Sequence, residues 1–138
     1  MLKATPLRPN TVWSVLVSVL LATFIVPHQS SAHHSIAAFD ASRTTELTGT
    51  LTSAQIANPH SVFHIAARDA EGRVTHWTIE GAGAATVLRE VRGGPPDRFA
   101  AGQAVTVKFL PARDGGNTGN LVSMRFADGQ VLNGIRVP

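Results

Sequence analysis

Six histidines stand in the 138 residues: His28, His33, His34, His60, His64 and His76. A neutral imidazole is a common ligand for copper, zinc and nickel. Position decides which of them can act. His33 follows Ser30-Ser31-Ala32, whose small residues fit a signal-peptide cut after Ala32. Such a cut makes His33 the first residue, with a free amine beside its own imidazole: a chelate within one residue. His34 is its neighbour. His60, just after Asn58-Pro59, offers a third nitrogen. Glu80 closes a predicted strand and is expected to bind the ion or to orient a ligand. The expected ion is copper or zinc. The plain alternative is a polar terminus at His33 and His34, with His60 bonding backbone at its turn. His64 and His76 form a second candidate pair.

In ligand chemistry, though not in fold, the N-terminal arrangement resembles the histidine brace of some exported copper proteins. Other catalytic constellations are weaker. Ser35 follows two histidines, but sequence neighbours do not make a nucleophile and base without geometry. Among nine acidic residues no carboxylate pair stands out; Glu80 and Asp40 are candidates by elimination. The glycines at 115, 116 and 119 lack the Lys-Ser/Thr ending of a phosphate loop and read as a hairpin connection. Asn58 before Pro59 reads as a turn former.

Export follows from the first 32 residues. Lys3 and Arg8 precede an apolar stretch from Thr11 to Val26, and Pro27 breaks it before the small residues. A 16-residue stretch is short for a membrane span of about 20. The remaining 106 residues suit one domain, and with no cysteine they hold no disulfide and no thiolate metal site. The net charge of +3 falls to +1 once Lys3 and Arg8 leave. The remaining arginines are scattered and tyrosine is absent, which argues against a nucleic-acid partner.

These side chains need a scaffold, and the sequence predicts one. Residues 33–45 form a mixed segment with Ile36 and Phe39 as packing anchors. Glu46 to Ile56 reads as a threonine-rich strand, with Gly49 marking a bulge or sharp bend. Ser61 to Arg68 and Arg73 to Glu80 form a hairpin, and Gly72 takes the left-handed turn position. Pairing Asp69 with Arg73 sets Phe63 against Ile79 and Ile65 against Trp77 on the apolar face. Val62, His64, Ala66, Val74, His76, Thr78 and Glu80 then lie on the other. In that register His64 and His76 are diagonal, about 7 Å apart at Cβ, a gap that a metal can bridge.

Ala84, Val87, Leu88 and Val91 predict a short helix with Thr86, Arg89 and Glu90 outside. Val105, Val107 and Phe109 alternate in a fourth strand. Residues 114–120 read as a loop, Leu121 to Phe126 as a fifth strand, and Val131 to Val137 as a terminal one. Three strands, a helix, then further strands is the order of a mainly β, OB-like Greek-key barrel over residues 46–138. An open sheet with a helix on one face is the rival.

Several strings occur together in order: Ala32-His33-His34-Ser35, Phe39-Asp40, Leu47-Thr48-Gly49-Thr50, Asn58-Pro59-His60, Trp77-Thr78-Ile79-Glu80-Gly81, Pro111-Ala112-Arg113-Asp114-Gly115 and Asp128-Gly129. Over residues 32–133 the chain resembles a domain-of-unknown-function family of small exported bacterial proteins. The resemblance implies a secreted, small β-barrel-like domain with no established activity. The family's aromatic-containing stretch after the helix is replaced here by Gly93-Gly94-Pro95-Pro96-Asp97. The expected function is a periplasmic or secreted binding module, with copper or zinc at its processed N-terminus. The alternatives are a histidine-brace copper oxidase and an OB-type module for a peptide, glycan or partner protein. After signal cleavage no membrane span is expected.

Overall fold

Threonine and branched apolar residues favour extended backbone, and strands dominate the structure. The computed structural model describes residues 36–92, 94 and 97–135. Among them the strands are β1 (Thr45–Gln55), β2 (Ser61–Arg68), β3 (Val74–Gly81), β4 (Ala104–Pro111), β5 (Thr118–Phe126) and β6 (Val131–Asn133). One helix, α1 (Ala84–Glu90), stands between β3 and β4. The strand order is β3-β2-β1-β4-β5-β6, and parallel pairing of β3 with β5 closes the first five into a barrel. This is the OB-like barrel that the sequence predicts, and closure removes the sheet edges an open arrangement would leave.

β1 serves two neighbours. Residues 45–50 pair with β4, and residues 50–55 pair with β2. The register with β2 shifts between Leu51 and Ser53, so the irregularity falls at Thr52 and not at Gly49. Gly49 answers a different need. A Cβ there would stand 2.5 Å from the Ala66 carbonyl oxygen and 2.8 Å from Ile65 Cγ2. β2 crosses β1 too closely for a side chain at that point.

The β2–β3 hairpin has the predicted register. The Asp69 N–H donates to the Arg73 carbonyl at 3.0 Å, and Gly72 has φ of 81°. Phe63 faces Ile79 and Ile65 faces Trp77. Phe63, Ile65 and Ile79 are fully buried with Leu51, Val107, Phe109, Leu121 and Met124. Trp77 is half-buried, its ring tilted against Phe109 at 5.2 Å, with Nε1–H donated to Thr75 Oγ1.

Four details of α1, β5 and β6 depart from the sequence reading. Leu88 is 57% exposed, because the seven-residue helix buries only a narrow stripe centred on Val87. Glu90 turns toward β6: its carboxylate accepts from Asn133, and its carbonyl accepts from Gln130. Thr118, Gly119 and Asn120 belong to β5, where they pair with β3, and not to the preceding loop. Glycine is required there because a Cβ on Gly119 would collide with the Phe109 ring. β6 ends at Asn133, although Gly134 and Ile135 still bond Val122 and Leu121 through backbone.

A second, smaller apolar cluster lies outside the barrel. Phe39, Leu110 and Ala112 are buried, with Ala38, Val122 and Ile135 packed around them. Of the two predicted anchors Phe39 packs and Ile36 does not, at 59% exposure.

Candidate functional site

Of the candidate metal residues, the structure describes His60 and Glu80, and it places both at one end of the β2–β3 hairpin. Asn58 and Pro59 lead into His60, and β2 begins at the next residue. Asn58 does more than turn the chain. Its Oδ1 accepts the Ala84 N–H at 3.1 Å, and the Ala57 carbonyl accepts the same donor at 3.0 Å. The β1–β2 loop is thereby tied to the start of α1. A Cβ at Gly83 would stand 2.9 Å from the Pro59 carbonyl oxygen and 2.7 Å from Asn58 Oδ1, so a side chain there would displace the braced loop. His60 is exposed on this braced loop.

Glu80 is half-buried at the other strand of the hairpin. It faces Val62 on β2 and Asn120 on β5. His60 stands two residues before Val62, so the ladder brings His60 and Glu80 to the same end of the hairpin. Three His, Cys, Asp or Glu side chains able to share a metal do not come together among the described residues. An ion held by His60 and Glu80 would take its remaining donors from water or from other residues.

The N-terminal candidates His33 and His34, with Ser35 and the leader, lie outside the described residues. The residues that follow them are fixed. The Asp40 N–H donates to the Pro111 carbonyl at 2.8 Å, and the Arg113 N–H donates to the Ala38 carbonyl at 2.9 Å. Arg113 Nε–H also reaches the Ala37 carbonyl at 3.1 Å. Phe39 pairs with Ala112 and is 2% exposed. Pro111 in turn faces Gly119, which lies beside Ile79. This anchored segment thus runs along the β4–β5 connection, whose far strand pairs with the Glu80 end of β3.

Asp40 is occupied structurally. Its carboxylate accepts from the Ser42 hydroxyl at 2.6 Å and amide at 3.1 Å, and pairs with Arg43. The Ser42 hydroxyl chiefly holds its pKa below the usual value. Residues 114–117 connect two strands, as expected. Gly115 has φ of 77°, and Asp114 accepts the Gly116 N–H at 2.9 Å.

His64 and His76 are exposed on the outer face of the hairpin, opposite Thr78 and Ala66 respectively. A shallow groove lined by Thr48, Gly49, Thr50, Ala66, Arg68 and Val74 continues that face. Sequence reasoning missed Arg98, which is 4% exposed and bonded to Asp128. Nothing in its spacing distinguishes it from the scattered surface arginines.

The fold and these residues define a small OB-like barrel, closed by β3–β5 pairing, with a bound N-terminal segment. The model of a family of unknown function, DUF6152, matches residues 21–122, and the chain belongs to that family. No curated protein and no solved structure matches the chain. Among the described residues no helix is long and apolar enough to cross a membrane.

Proposed function

We propose that the protein is exported to the periplasm or beyond and that its barrel is a binding module for copper or zinc. Cleavage after Ala32 frees the His33 amine, which chelates the ion together with the His33 imidazole. His60 supplies a further nitrogen. His34 is the additional donor and Glu80 the orienting carboxylate in this reading. The observation that supports this reading is the anchoring of residues 38–40 to residues 111–113 by backbone bonds and the buried Phe39. A terminus tethered five residues past its chelating group loses less entropy on binding than a free tail. The leader's basic start, apolar middle and small-residue end support export.

The test is the mass and metal content of the protein recovered from its native envelope without a terminal tag. The reading expects a chain starting at His33 that carries copper or zinc. Retained residues 1–32, or a correctly processed chain that takes up neither metal, would reject it.

A further inference from the structure

The outer face of the β2–β3 hairpin carries two imidazoles that the N-terminal reading does not use. The hairpin alternates between residue pairs that exchange backbone bonds and pairs that do not. The Asp69–Arg73 bond sets the odd-numbered residues of β2 as the bonded pairs. The Thr78 N–H agrees, since it donates away from β2 to the Asn117 carbonyl at 3.0 Å. His64 and Thr78 therefore form a pair of the non-bonded kind, whose side chains lie closer together. His76 is two residues nearer the turn than Thr78. The right-handed twist swings that diagonal position toward His64.

A second contact prepares one ring. His64 Nδ1 lies 3.3 Å from Thr78 Oγ1. With Nδ1–H donated to the hydroxyl, the Nε2 lone pair of His64 is left for a ligand, the usual way an outer partner fixes a metal-binding tautomer. The surroundings do not oppose a cation. Two charged residues of the hairpin share this face: Glu80, an anion two residues beyond Thr78, and Arg68, which bonds the Gly72 carbonyl at 3.1 Å and is drawn toward the turn. On the β1 side, Ser53 faces His64 and Thr50 faces Ala66, and neither carries charge.

We propose that His64 and His76 form a second divalent-metal site, separate from the N-terminus, with Thr78 as the positioning residue of His64. Two imidazole nitrogens and water complete the coordination. Copper(II) binds most tightly by the usual affinity order, followed by zinc. The site stays open to a further ligand on its solvent side.

The test uses the full chain with its leader retained, in which His33 has no free amine and the N-terminal chelate cannot form. Copper(II) is titrated into the wild type, His64→Ala, His76→Ala and Thr78→Val, followed by calorimetry and electron paramagnetic resonance. One equivalent is expected in the wild type, with two nitrogen ligands in its spectrum. His64→Ala and His76→Ala should each weaken it more than tenfold and remove one nitrogen, with thermal midpoints unchanged at these exposed positions. Thr78→Val should weaken it about tenfold, as loss of an outer partner does. Unchanged copper affinity and spectrum in both histidine variants would overturn the site. Unchanged affinity in Thr78→Val alone would overturn the role given to Thr78. Because the amine is blocked throughout, neither result depends on the N-terminal reading.

Discussion

Arg98, only 4% exposed, donates two hydrogen bonds to Asp128, at 3.2 and 2.7 Å. Its guanidinium carbon also lies 4.6 Å from the centre of the Phe126 ring. The pair ties the segment before β4 to the turn between β5 and β6. Phe99, the next residue, packs against Phe63 and Phe126 at 5.8 Å each, so the clamp reaches the core. A buried guanidinium needs a partner, since an uncompensated charge in the interior is costly.

The clamp gives the fold an acid dependence. The Arg98 bonds chiefly, and the Gln130 N–H next, hold the Asp128 carboxyl below its ordinary 3.8. A carboxyl lowered on folding stabilises the folded state above its unfolded value and loses that contribution as pH falls through the folded one. Stability should therefore be flat in this respect above about pH 5 and fall below about pH 4. Asp128→Asn should be less stable at pH 7 and show a shallower fall in acid, read as urea midpoints against pH. Superimposable acid limbs would contradict the assignment. The lowered carboxyls of Asp40 and Asp69 leave some fall in both proteins.

Trp77→Ala should cost about 3 kcal/mol in denaturant melts, the lower end for a buried aromatic because the ring is half-exposed. A loss below about 1 kcal/mol would mean that its contact with Phe109 contributes little.

Gly49→Ala tests the crossing of β1 and β2. The added methyl must displace the Ala66 backbone or the Ile65 side chain, so a loss of about 1–3 kcal/mol is expected. Backbone oxygen yields less readily than a side-chain end. A neutral substitution would show that the strands part at small cost.

The hairpin was legible in the sequence because two local signals agree there. Gly72 fixes the turn, and alternation from Ser61 to Arg68 fixes which face is buried, so Phe63–Ile79 and Ile65–Trp77 follow. The barrel order followed from the helix between the third and fourth strands. What the sequence hid depends on contacts between distant segments. Phe39 on Ala112, Arg98 on Asp128, and Gly119 beneath Phe109 each join elements that no local period relates. Gly49 shows the same limit: a glycine in a strand announces a backbone constraint without saying whether it is a bulge or a close crossing. Of the candidate site, the common end shared by His60 and Glu80 could be read from the hairpin register. The anchoring of residues 38–40 could not, since it rests on residues 111–113, at and just past the end of β4 and about 70 positions away.

The central claim is an N-terminal chelate, and copper(II) calorimetry on the processed chain tests it most directly. Three proteins are compared at pH 7: the wild type starting at His33, His60→Ala, and a chain with one residue added before His33. The tighter copper equivalent should weaken in both variants, because one loses an imidazole and the other displaces the amine. In the wild type its affinity should fall from about pH 8 to about pH 5, as protons compete for an amine of pKa about 7.7 and an imidazole of about 6.5. Equal affinity in all three proteins, or an affinity independent of pH across that range, would contradict the account.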